Sequence, residues 1–205
     1  MSASADWTDD GTTMKAIDAD GFEALFSRSI DPWNYRTSRF EAHKRGVLLK
    51  ACGLGPYGRG LELACAIGTT TQALSPLCRR LLAVDASPTA IEEARAGRYA
   101  KPVTFRTARL PEDAPRGPFD LIVVSEIAYY LKPRALDALT DRLLAALAPG
   151  GRIVVLHHVT PFADAAILPA RAQAQMTARL ARRLAPVLSR RLGRFKVAAF
   201  ERRRR

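Results

Sequence analysis

Leu61-Glu62-Leu63-Ala64-Cys65-Ala66-Ile67-Gly68, running straight into Thr69-Thr70-Thr71-Gln72, is the stretch whose reading decides the fold. Its apolar start reads as the end of a strand, and the residues from Thr69 read as a helix. Between them, Ala64, Ala66 and Gly68 are small enough for the backbone of a turn to approach a ligand closely. The helix that follows presents unpaired N–H donors at its N-terminus. Seventeen residues beyond Gly68, Ala83-Val84-Asp85 closes a second apolar run, and Ser87-Pro88 opens a second helix with an N-cap and a first-turn proline. A carboxylate at the tip of the second strand, beside a small-residue turn, is set to accept hydrogen bonds from ribose hydroxyls. The pair points to a nucleoside-containing cofactor.

Outward from this pair the chain keeps alternating. Apolar runs at 60–64, 81–84, 103–107, 119–124 and 152–156 are separated by helical patterns around 70–78, 88–97 and 133–147. Such alternation is the signature of parallel βαβ units, and the unbroken run Leu121-Ile122-Val123-Val124 suits a sheet covered on both faces. Toward the N-terminus, Phe22, Leu25 and Phe26, then Phe40, Val47 and Leu48, recur at helical spacing on either side of an Asp31-Pro32 break. Residues 1–20 are small, polar and acidic and read as a disordered tail. Toward the C-terminus, Met176, Leu180, Leu184 and Leu188 sit four apart, which predicts an amphipathic helix interrupted by Pro186. Gly193 then introduces a strand over 195–200. Pro149 is expected to stop a helix and Gly150-Gly151 to make a tight reversal before the fifth strand. The expected domain runs over 21–202, its first part (about 21–55) a helical lid, with 203–205 as a basic tail.

With 205 residues and 48% hydrophobic content, the chain can build one ordinary core without disulfides or metals. Cys52, Cys65 and Cys78 are odd in number and form no Cys-x-x-Cys pair, which argues against a disulfide framework or structural zinc and suits a reducing cytoplasm. No basic start precedes an apolar run, and no apolar run is long enough to span a bilayer. The net charge of +12 is unevenly placed. Residues 171–205 hold twelve Lys or Arg against one acid, Glu201, while residues 1–170 hold twenty basic against nineteen acidic groups. That basic end is either a solvated arginine-rich surface or a contact for an anionic partner such as nucleic acid. His157 and His158 follow the fifth strand, at the edge where open α/β sheets bind ligands, and lack the carboxylate pattern of a metal site.

The four segments around Glu62–Gly68, Asp85, Phe119–Leu131 and Leu147–Val155 resemble, in order and spacing, the motifs of class I S-adenosylmethionine (SAM) dependent methyltransferases. More narrowly, Asp31-Pro32-Trp33-Asn34-Tyr35 with Ser38, Phe40-Glu41 and Lys44-Arg45 resembles the entry segment of the nodulation-protein-S (NodS-like) methyltransferases. Val124–Leu131 and the ending Arg194–Arg202 resemble them too. The resemblance implies an α/β, Rossmann-like fold: a seven-stranded, mostly parallel sheet with helices on both faces and the last strand antiparallel. It also implies that SAM is bound and that a methyl group passes to nitrogen or oxygen of a small-molecule acceptor, with an amino-sugar-type metabolite as the family analogy. Glu62, Ala64, Ala66 and Gly68 would then hold the amino-acid end of SAM, Asp85 and Ala86 the ribose side, and Ala108 and Arg109 would flank the adenine. Trp33 and Tyr35 would form a lid, since aromatic faces suit a sulfonium and exclude water. Glu126, Tyr129 and His157 are the catalytic candidates on the acceptor side.

Two positions depart from the family pattern. Ala64 puts a Cβ where a glycine is usual, and Arg109 stands where an acid usually accepts the adenine amine, although arginine has only donors. Two alternatives follow. The first is an RNA methyltransferase using the basic end, although Ser125-Glu126-Ile127-Ala128 lacks the Asn-Pro-Pro-aromatic type of loop. The second is a degenerate, non-catalytic paralogue.

Overall fold

The computed structural model describes residues 16–204. Its elements are α1 (Ala19–Arg28), α2 (Arg39–Cys52), β1 (Tyr57–Leu63), α3 (Thr69–Leu74), β2 (Cys78–Asp85), α4 (Pro88–Arg95), β3 (Val103–Thr107), β4 (Phe119–Ser125), α5 (Pro133–Ala146), β5 (Leu147–His158), α6 (Pro169–Ala181), β6 (Ala185–Leu192) and β7 (Phe195–Glu201). The seven strands form one sheet in the order β3-β2-β1-β4-β5-β7-β6. Pairs from β3 through β5 are parallel, and β7 runs antiparallel to both β5 and β6. The chain reverses its direction of travel across the sheet between β3 and β4. The carboxyl ends of β1 and β4 are therefore neighbours at a topological switch point, where open α/β sheets bind ligands.

Both faces of the sheet are apolar, which is why its central strands read as unbroken runs. Ile122, Val124, Ile153 and Val155 pack with Leu136, Leu139 and Leu143 of α5 and Met176 and Leu180 of α6. Their neighbours Leu121, Val123, Val154 and Leu156 point the other way, onto Leu48, Ala51 and Cys52 of α2 and Leu74 of α3. Helix starts are locally encoded. The Ser87 side chain accepts from Ala90 N at 3.0 Å with Pro88 in the first turn, and Ser38 accepts from Glu41 N at 3.3 Å.

The ends of the chain depart from the sequence reading. Residues 1–15 of the expected tail lie outside the described residues, as does Arg205, but its last part is ordered: Asp18 caps α1, accepting from Gly21 N at 2.9 Å. Leu184 closes the core beside α6, whereas Leu188 belongs to the edge strand β6. Spacing by four failed there because Pro186 cannot continue a helix and its neighbours pair with β7 instead. The reversal expected at Gly150-Gly151 is a bulge inside β5, where Gly150 (φ 73°) donates its N–H to Arg202 O and Gly151 O accepts from Arg202 N. No described helix is long and apolar enough to cross a membrane.

Candidate active site

The ends of β1, β2 and β4 converge on a cavity of about 620 Å³. Ala64, Ala66, Asp85, Ala86 and Ala108 wall one end; Glu126, Tyr129 and His158 wall the other; Phe22, Phe26, Trp33 and Tyr35 lie across it from the N-terminal segment. The aromatic cover is continuous, with Trp33 5.6 Å from Phe26 and 5.6 Å from Tyr35, centroid to centroid. Backbone strain gathers here. Among the described residues, the non-glycine positions with left-handed φ are Asn34 (56°), Ala64 (53°), Ala66 (47°) and Glu126 (56°). Three of these line the cavity and Asn34 separates the two lid aromatics. Each such residue costs of order 1–3 kcal/mol, which the surrounding fold must offset.

At the first end the geometry is mostly backbone. Asp85 is 8% exposed; its Oδ2 accepts from Ala66 N at 2.8 Å and its Oδ1 from Ser87 N at 3.0 Å. This carboxylate fixes the turn after β1 and keeps acceptor capacity toward the cavity, since two oxygens offer about four lone-pair positions. Burial pushes its pKa up, against the pull of those N–H groups. Glu62 lies under the same turn, lining a smaller adjoining cavity with Ala64, Ala66, Tyr35 and Lys44. Its Oε2 is buried with no partner among the described residues, and burial pushes the carboxyl up to about 8.

Gly68 and Arg109 do other work than the sequence suggested. Gly68 does not line the cavity; a Cβ there would meet the Tyr99 hydroxyl at 2.5 Å and Ala94 Cβ at 3.1 Å, so its bareness serves the packing of α3 against α4. The Arg109 guanidinium turns to Asp20 of α1 in an exposed ion pair, worth about 0–1 kcal/mol. Arg109 still lines the cavity and ties the lid to the loop after β3. Glu23 makes a firmer tie: its carboxylate accepts from Ser87 Oγ at 2.5 Å, Thr89 Oγ1 at 2.6 Å and Thr89 N at 3.2 Å, sealing α1 onto the start of α4.

The second end is dense in charge. Lys44 of α2, 6% exposed, puts Nζ 2.8 Å from Glu41 and 2.7 Å from Glu126 Oε1. Glu126 Oε2 accepts from the Tyr129 hydroxyl and from His158 N at 3.0 Å, and Oε1 faces His158 Nδ1 at 3.4 Å. Desolvation would raise the Glu126 carboxyl, but the His158 hydrogen bond and the Lys44 charge outweigh it and hold the pKa far below the usual range. The Tyr129 hydroxyl is pushed well up, by burial and by the Glu126 charge.

His157 is a correction. It is fully buried: Nε2 accepts from Ala128 N at 3.0 Å, and Nδ1 pairs with Gln173 Oε1 at 2.7 Å on α6. Successive strand residues face opposite sides, so His157 shares the α5/α6 side with Ile153 and Val155 while His158 turns to α2 and the cavity. Desolvation keeps His157 below the ordinary histidine range, hence neutral, and it braces the turn that carries Tyr129. That parity was present in the sequence and identifies His158 as the cavity residue. Lys44 and Glu41 were also missed as a pair, although their spacing of three on a helix announces mutual contact.

The model of the family described as nodulation protein S matches residues 20–157. The chain belongs to the NodS family. Nodulation protein S of Rhizobium tropici is 34% identical over 152 residues, 68% of this chain and 63% of that protein. The Bradyrhizobium diazoefficiens protein is 35% identical over 128 residues, 60% of this chain and 61% of that protein. The match thus spans about three-fifths of these relatives' length. The crystal structure of the N-methyltransferase NodS from Bradyrhizobium japonicum WM9 with S-adenosyl-L-homocysteine is 25% identical, with TM-score 0.73, over 88% of this chain and 97% of that one. The seven-stranded, mostly parallel sheet is therefore the NodS fold.

Proposed function

We propose that this protein is a SAM-dependent methyltransferase acting on an amine nitrogen of a small acceptor, of amino-sugar type. The observation that carries the reading is the single cavity with two unlike ends, in a chain of the NodS family: a turn of small residues beside Asp85, facing the charged Glu126–His158 pair. The residues fit the cofactor. The orphaned Glu62 Oε2 suits the amino-acid end together with Ala64 and Ala66, Asp85 suits the ribose hydroxyls, and Ala86 and Ala108 leave room for the base. Trp33 and Tyr35 close over it and exclude water. Bound there, SAM supplies an electrophilic methyl on a sulfonium.

This chain's contribution is then positioning and one proton. Held ionised by Lys44, Glu126 is too weak a base for an ammonium but orients His158, whose Nδ1 faces it at 3.4 Å. The other imidazole nitrogen is left to take the amine proton. Tyr129, kept protonated, donates to Glu126 and fixes its second oxygen. A cytoplasmic location goes with this reading, supported by three free, buried thiols.

Calorimetry with S-adenosylhomocysteine tests the cofactor half: the intact protein binds it, and D85A loses about 1–3 kcal/mol of binding through unpaired hydroxyls and a loosened turn. Failure of the intact protein to bind, or an unchanged affinity in D85A, overturns the assignment.

A further inference from the structure

Three cations line the main cavity: Lys44, Arg109 and Arg194. Lys44 is held by Glu41 and Glu126, and Arg109 by Asp20. Arg194 has no carboxylate partner among the described residues. It sits on the two-residue turn joining β6 to β7, and its guanidinium lies over the Phe40 ring at 4.7 Å. Lys44 Nζ at 5.6 Å and the His158 imidazole at 5.6 Å are neighbours of the same ring. An unpaired arginine and the Glu126–His158 pair therefore share one aromatic neighbour and line one cavity.

An exposed arginine on a turn normally samples many rotamers, and fixing it opposes binding. Stacking on Phe40 does that in advance, while the in-plane N–H groups stay free for an oxyanion. The backbone is fixed as well, since Arg194 O accepts from Val159 N at 2.8 Å. Near the same ring, Glu41, Lys44 and Glu126 sum to one negative charge, which suits an amine. Asp164, the remaining carboxylate along this wall, makes no ion pair with Arg194 among the described residues.

We propose that Arg194 is a specificity-determining residue: the acceptor carries an anionic group, a phosphate or carboxylate, that reaches Arg194 at the Phe40 ring while its amine is methylated in the same cavity. The inference rests on the methyltransferase reading for the word acceptor, and its test is a binding measurement that stands without catalysis. Calorimetry on the protein, with and without S-adenosylhomocysteine, compares glucosamine, glucosamine 6-phosphate and N-acetylglucosamine 6-phosphate in the intact chain, R194Q and R194K.

A charge-assisted pair predicts that glucosamine 6-phosphate binds the intact chain about tenfold or more tightly than glucosamine. R194Q brings the two affinities together and R194K keeps part of the gap, because a point charge replaces the fork. N-Acetylglucosamine 6-phosphate, lacking the amine, binds more weakly than glucosamine 6-phosphate in every variant. Equal affinities for phosphorylated and unphosphorylated sugar in the intact chain, or a preference that survives in R194Q, overturns the proposal. If the preference and its loss are seen but no methyl is transferred from SAM to either amine, the anion subsite stands and the methyltransferase reading falls.

Discussion

The two ends of the cavity hold carboxylates of the same kind and push them in opposite directions. At the turn after β1, Asp85 faces backbone N–H groups while Glu62 Oε2 is buried without a partner among the described residues, and burial lifts both. At the mouth of β4, Glu126 is largely enclosed too, yet His158 and Lys44 hold it well down. Burial alone does not decide the charge state of an acid; the presence of a fixed counter-charge does. The first end thereby keeps one carboxyl, Glu62, protonated at neutral pH, and the second holds a fixed charge beside the proposed proton transfer.

The largest test of that contrast separates the adjacent histidines. H158Q removes the proposed base and the partner of Glu126, and kcat is expected to fall by about 10²–10⁴-fold. H157L leaves Ala128 N and Gln173 unpartnered, costing about 1–3 kcal/mol of stability in urea while kcat of the folded protein changes little. The reverse pattern would relocate the chemistry to the α6 side of the sheet.

A smaller effect is expected at Glu62. Its carboxyl titrates near 4.5 when unfolded and near 8 when folded, so the native protein loses stability as pH rises between those values. E62Q does not titrate and should gain on the parent across that window, by about 1.4 kcal/mol per pH unit in its middle. Urea unfolding at both ends of the window measures it, and a pH-independent difference would show that Glu62 is already neutralised by a partner.

The smallest concerns Ala64. A64G relieves a left-handed residue, worth about 1–2 kcal/mol. The extra freedom of glycine in the unfolded chain takes back about 0.4–1 kcal/mol, leaving a net stabilisation under about 1.5 kcal/mol. A higher melting temperature is the expected result, and a lower one would show that the Ala64 methyl packs usefully against the cavity wall.

Most of the fold was legible because β4 and β5 carry unbroken apolar runs, shorter apolar stretches alternate with helical patterns before them, and Ser38 and Ser87 cap helices locally. The cofactor end was legible for the same reason: Ala64, Ala66 and Asp85 stand at strand tips, and topology alone brings them together. The acceptor end was only half legible. Lys44 arrives from α2 and Arg194 from the β6–β7 turn, far apart in sequence, and no local pattern announces that both will meet the Phe40 ring. Edge strand β6 escaped because its Leu188 continues the helical spacing of Leu180 and Leu184, and only pairing with β7 gives the segment its conformation.

That edge gives the basic end of the chain a further meaning. β6 is the outermost strand of the sheet, with one row of backbone donors and acceptors unclaimed among the described elements. Such a row is a template on which another chain can add a strand, and then another. Pro186 deletes one of its donors, and Arg190 and Arg191, both exposed, set like charge against any second copy that approaches in register. The arginines that read in one dimension as an invitation to an anion serve, at the rim of a finished sheet, to keep the sheet from growing.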